Sequence, residues 1–176
     1  MAKRACAVQL IEGPVTSRTD PDTMDDRGMP LYCPSARPEL TDGVIFGVVT
    51  GTATEPMVRY LNQQLPITAD TLAQCAPVEP TEVLRFAAPC ARHRCLHFDG
   101  AECGLARRTV QLVQVAVPTM PRCAIRPNCL WFAQEGRLAC LRCPSVVTDN
   151  YAPSGEHRLA ADPKTPRVES SHAENS

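Results

Sequence analysis

Aromatic side chains are scarce in this chain, at 5% of 176 residues with a single tryptophan. Aromatics carry much of the buried area of ordinary cores. A fold held by one large apolar core is therefore not expected, and a loop-rich fold with extra staples is. Long apolar runs are missing too. The run from Ala5 to Ile11 contains Gln9 and is followed by Glu12, which fits neither a secretory signal nor a membrane span. The expectation is a cytoplasmic protein with no membrane partner. Signatures of common enzymes are also absent: there is no G-x-S-x-G, no H-E-x-x-H and no evident triad. The turn V-V-T-G-T-A-T-E-P has the strand-to-helix setting of a phosphate site. It lacks the P-loop lysine and the third glycine of the dinucleotide fingerprint, and reads as an ordinary tight turn.

Cysteine and proline are abundant instead, at 10 and 17 residues. In a reducing compartment, grouped thiols point to metal rather than to disulfides. Seven of the cysteines form one motif written twice. The first copy is C-A-R-H-R-C-L-H-F-D-G-A-E-C, with Cys90, Cys95 and Cys103. The second is C-A-I-R-P-N-C-L-W-F-A-Q-E-G-R-L-A-C, with Cys123, Cys129 and Cys140, and L-R-C then adds Cys143. His97-Phe98 corresponds to Trp131-Phe132.

The spacings are C-x4-C-x7-C and C-x5-C-x10-C-x2-C-P. A structural zinc site usually offers two tight C-x2-4-C knuckles. Only Cys140–Cys143 is tight here, and Pro144 follows it as proline follows the last ligand in ferredoxin-like runs. The corners of an iron–sulfur cube lie farther apart than donors on one zinc, and so accept wider spacings. A sulfur-only donor set suits both metals. The leading expectation is an iron–sulfur cluster, 4Fe–4S, on Cys90, Cys95, Cys103, Cys123, Cys129, Cys140 and Cys143, one cluster or two. Zinc is the alternative, and disulfides or unligated structural thiols the remaining one.

Seven thiols leave two clusters one ligand short. Cys75, Cys33, His93 and His97 are the available eighth groups, or one cluster keeps an open iron that could serve an enzyme. His93 and His97 read as surface or loop histidines rather than ligands, and the counterpart of His97, Trp131, points to a position that needs a flat ring packed near the metal rather than a donor. Cys6 and Cys33 lie outside metal spacing and read as unligated. Phe98, Trp131 and Phe132 read as core residues that keep water from the metal. Asp99 and Glu135 could serve acid–base chemistry but read as solvated loop carboxylates.

The net charge of −1 is unevenly spread. Residues 85–143 hold nine arginines against three acidic residues, a net of +6, while residues 1–84 carry −5 and residues 144–176 carry −2. Basic charge beside thiols fits compensation of a negative metal centre. The arginines are scattered through loops, and no nucleic-acid-binding pattern appears. The cysteine content and the C-x-x-C-P end resemble small bacterial iron–sulfur proteins and the cysteine-rich auxiliary domains of larger redox enzymes. That likeness implies electron transfer, or a redox accessory to a partner protein, rather than a stand-alone enzyme. A zinc-stabilised interaction module is the alternative.

The expected fold class is α+β. Residues 1–42 form an N-terminal segment, with a flexible arm over 12–30. Residues 43–88 form a small strand/helix part. Residues 89–149 form a loop-rich, metal-stapled module around one central helix, and residues 150–176 a disordered tail. Gly43 to Val49 predicts a buried strand. Met57–Leu65, Thr68–Cys75 and Pro80–Ala88 predict short helices, the last capped by Thr81. Glu102–Val115 predicts the best helix, with Leu105, Leu112 and Val113 on one face and Arg107 and Arg108 pointing elsewhere.

Overall fold

The apolar run after Gly43 forms the strand expected of it, Val44–Gly51 (β2), with Ile45, Phe46 and Gly47 buried. The computed structural model describes residues 24, 27–40 and 42–166. Most of the expected arm over 12–30, and residues 167–176 of the tail, lie outside the described residues.

The chain is mixed α+β. Four strands form one antiparallel sheet in the order β1-β4-β2-β3. The others are Tyr32–Ala36 (β1), Pro56–Pro66 (β3) and Leu84–Pro89 (β4). The helices are Ala69–Ala73 (α1), Pro80–Val83 (α2), Gly104–Leu112 (α3), Leu130–Glu135 (α4), Arg137–Arg142 (α5) and Gly155–Ala161 (α6). No helix among the described residues is long and apolar enough to cross a membrane.

Two expected helices are strands. Met57–Leu65 lies in β3, which pairs with β2 from Gly51↔Pro56 to Val44↔Pro66. Its apolar residues fit a helical period by spacing alone. A buried strand just before it, joined by a tight turn, offers cross-strand partners that outweigh that weak local signal. The turn itself reads as expected. Gly51 has φ +88°, and a Cβ there would stand 2.3 Å from the Glu55 carbonyl oxygen. Gly51→Ala should lower stability by about 1–3 kcal/mol, checked by chemical denaturation with an unchanged circular dichroism spectrum.

Pro80–Ala88 is helical only as far as Val83, and its second half is β4, between β1 and β2. Arg85, Phe86, Ala87 and Ala88 are all buried there, as a central strand covered on both faces requires. Thr81 is not the cap. Glu79 takes that position, and the Thr81 hydroxyl donates to Asp149.

The best helix is present as α3, with Leu105 and Val113 buried. Arg107 faces Asp99 and Glu102. Arg108 corrects the sequence reading: it is buried at 7% exposure, and its Nε donates to the Ala160 carbonyl at 2.9 Å. That carbonyl belongs to α6, so residues 155–161 of the expected tail form a helix packed on α3. Ser154 caps it, accepting from the His157 N–H. Polar composition hid this helix, because Ala160 is its one buried side chain.

A single core joins the sheet to the cysteine-rich segment. Leu31, Phe46 and Ala87 pack in one cluster with Leu105, Ala106, Ile125, Leu130, Trp131 and Ala139. Cys103, Cys129 and Cys143 belong to the same cluster.

Candidate metal centres

The two copies of the motif fold alike. In the first, a 3-10 turn over Arg92–Arg94 follows Cys90 and closes with the Cys95 N–H on the Arg92 carbonyl at 2.8 Å. In the second, the turn over Arg126–Asn128 closes with the Cys129 N–H on the Arg126 carbonyl at 3.2 Å. The Arg92 guanidinium lies 5.4 Å from the Phe98 ring centre, and that of Arg126 lies 5.9 Å from that of Phe132. The paired positions His97 and Trp131 are both buried, at 6% and 1% exposure.

Cys123, Cys129, Cys140 and Cys143 line one small apolar cavity with Pro34, Phe46, Tyr60, Arg126, Trp131 and Phe132. Burial pushes the Cys123 thiol up to about 11, with Cys143 and Cys140 adding to the rise. Burial raises Cys129 further, again with Cys143 and Cys123 contributing. Each proton held this way is one that a metal cation would replace.

The first triad is joined by a fourth thiol. Burial sets the Cys33 thiol well above the usual value, and Cys103, Cys90 and Cys95 raise it further. Burial pushes Cys103 up to about 12, Cys90 and Cys95 contributing. The register explains the meeting. Cys33 lies opposite Ala88, and the Cys90 N–H donates to the Leu31 carbonyl at 2.9 Å. Cys90 is therefore the diagonal neighbour of Cys33 on the same face, a spacing of about 7–8 Å. A bridge between Phe98 and Cys103, with the Phe98 N–H on the Cys95 carbonyl at 3.0 Å, folds the rest of the loop onto them. Cys33 reads as unligated in the sequence because its segment carries no metal spacing, and the β1–β4 pairing brings it beside the first copy.

A sequence signal could have found it. Leu31-Tyr32-Cys33-Pro34-Ser35 and Leu141-Arg142-Cys143-Pro144-Ser145 are the same L-x-C-P-S element, and both prolines are fully buried. Each group of four thiols thus holds three from a motif copy and one from L-x-C-P-S.

Backbone amides offset part of the burial of these thiols. The amide two residues on pulls the pKa down at Cys33 (Ser35), Cys90 (Arg92) and Cys123 (Ile125). Leu105 and Ala106 do so for Cys103 at the start of α3, and Trp131 and Phe132 for Cys129 at the start of α4. Amide dipoles placed this way favour thiolate over thiol. The second group also has polar side chains beside it. Arg126 pulls the Cys140 pKa down against its burial, and its Nε and Nη2 are buried without a partner. Burial first, then Cys143, holds the Tyr60 phenol far above its usual pKa.

The remaining site residues are placed elsewhere. Cys75 lies just past the end of α1 and donates to the Thr71 carbonyl. Cys6 lies outside the described residues. His93 is exposed and meets the Phe98 ring edge-on at 4.9 Å. His97 Nδ1 lies 2.8 Å from Arg108 Nη2. Burial, then the Arg108 charge, lowers its pKa to about 4, so the ring is neutral. Asp99 accepts the Ala101 and Glu102 N–H groups, and Glu135 accepts from Gln134. The basic excess is largely spent inside: Arg85 and Arg108 are buried, and Arg92 and Arg126 cover rings.

Among the described residues, no three His, Cys, Asp or Glu side chains are grouped as donors to a single metal ion. No protein family, curated protein or solved structure matches this chain.

Proposed function

We propose that this protein is a cytoplasmic iron–sulfur protein that exchanges electrons with a partner protein. The observation that carries the reading is the cavity lined by Cys123, Cys129, Cys140 and Cys143. Its walls are otherwise mainly apolar, backbone amides favour the thiolate at Cys123 and Cys129, and Arg126 presents buried donors with no protein partner. Four thiolates around a cube leave net negative charge, which these groups offset. The reading does not need the thiols to converge on one point, because the donors of a cube sit on separate corners. Excluding water and hydrogen-bonding the sulfurs are the means by which a protein sets a cluster potential.

Protein purified without oxygen should be brown and contain iron and acid-labile sulfide in equal amounts. Stoichiometric zinc without sulfide would overturn the reading. Zinc is the second possibility because of the tight Cys140–Cys143 knuckle, in which case the metal only holds the fold together for an interaction module.

A further inference from the structure

We infer that Cys33, Cys90, Cys95 and Cys103 form a second, separate metal centre of the same class as the first, with Cys33 as the ligand that completes it. The inference rests on the metal-binding reading above and extends it from one centre to two.

Three observations meet at Cys33. The register of β1 against β4 sets it diagonally across from Cys90 on one face of the sheet. The Cys90 N–H donates to the Leu31 carbonyl at 2.9 Å, which carries that register one residue past the end of β4. It also occupies in L-Y-C-P-S the place that Cys143 occupies in L-R-C-P-S. A motif copy with three thiols and a separate C-P element with the fourth describes both groups. The count of seven was therefore an eight with one member far away in sequence.

The two centres are divided by β1. Cys33 sits diagonally across from Cys90, while its neighbour Pro34, where the β1–β4 register is irregular, lines the cavity of the second group. Tyr32 on the same strand bridges to Cys129. In the first group, Phe98 bridges to Cys103 and its N–H donates to the Cys95 carbonyl at 3.0 Å, which folds those two cysteines together, while in the second the four thiols line one cavity. Each group then has the four sulfurs that one centre needs, with none shared. A 4Fe–4S cube held by each set of four thiolates would take one electron from a reductant such as dithionite, passing from the 2+ to the 1+ state.

Full-length protein, Cys33→Ser, Cys95→Ser, the double variant and Cys75→Ser should be purified without oxygen and assayed for iron, sulfide and zinc. Wild type should hold about eight iron and eight sulfide per chain, and take up about two electrons from dithionite. Cys33→Ser and Cys95→Ser should each lose half the metal, and the double variant should lose no more than either single variant. Cys75→Ser should keep all of it. The inference is overturned if wild type holds metal for one centre only, if Cys33→Ser keeps the full content, or if the double variant loses twice what each single loses. Two zinc ions per chain without sulfide, falling to one in Cys33→Ser, would uphold the second centre and sink the iron–sulfur reading. Circular dichroism accompanies each assay, and Cys95 lies in a loop, so its variant keeps the test open if Cys33→Ser fails to fold.

Discussion

Cys129→Ser and Cys129→Ala should each abolish metal binding at the second group and lower the melting temperature by roughly 10 °C or more, through a stability loss of at least about 4 kcal/mol. Cys129 combines three roles. Its sulfur lines the cavity with Cys123, Cys140 and Cys143. It is the N-cap residue of α4, whose Trp131 and Phe132 amides favour its thiolate. Its side chain, 9% exposed, belongs to the cluster that ties the sheet to the cysteine-rich segment. Metal binding and folding are one equilibrium when the ligands lie in the core. Comparing the two variants separates the roles. For a residue that only packs, Ala leaves a small void and Ser adds a buried hydroxyl, so Ser should be the worse. For a ligand, both lose the metal and fall together. Metal analysis beside thermal denaturation decides it. Full metal content in both variants would remove Cys129 from the ligand set.

What could be read from the sequence was local. The motif copies, the strand after Gly43, the helix after Cys103 and the turn at Gly51 all depend on residues close together in the chain. β3 and β4 were misread because a strand is defined by its partners. Met57–Leu65 became a strand by pairing with β2, and Leu84–Pro89 by lying between β1 and β2. Arg85 broke the apolar run of β4 and disguised it, although its side chain is fully buried, with Nη1 on the Thr148 hydroxyl at 2.8 Å. For the site, the thiols of the repeat were legible and Cys33 was weighed but set aside. Its link to the first copy is a strand pairing, which spacing does not record, yet the L-x-C-P-S element it shares with Cys143 was visible in the residues. Pairing His97 with Trp131 correctly marked a buried ring position. That reasoning did not foresee Arg108, since a buried arginine on a helix cannot be inferred until its acceptors, His97 and the Ala160 carbonyl, are placed beside it.

Trp131→Ala should cost about 3–5 kcal/mol, the usual penalty for deleting a fully buried large aromatic, while Trp131→Phe should cost little. Trp131 is 1% exposed, packs in the shared core and lines the cavity of the second group. Removing the indole opens a void beside the sulfurs. Phenylalanine keeps a ring there and removes an indole N–H that is buried without a protein partner, a group whose desolvation costs about 1–3 kcal/mol when unpaired. The same pair of variants tests whether the ring shields a metal centre or only packs. If it shields, Trp131→Ala protein should lose its visible absorbance in air several-fold faster than wild type under conditions where it remains folded, and Trp131→Phe should resemble wild type. Bleaching at the wild-type rate in folded Trp131→Ala protein would restrict the ring to core packing. A normal bleaching rate but an altered reduction potential in Trp131→Phe would give the indole N–H a different use, as a donor to the bound group rather than a barrier to water. Stability, bleaching rate and potential thus assign separate roles to the ring's volume, its cover and its one polar atom.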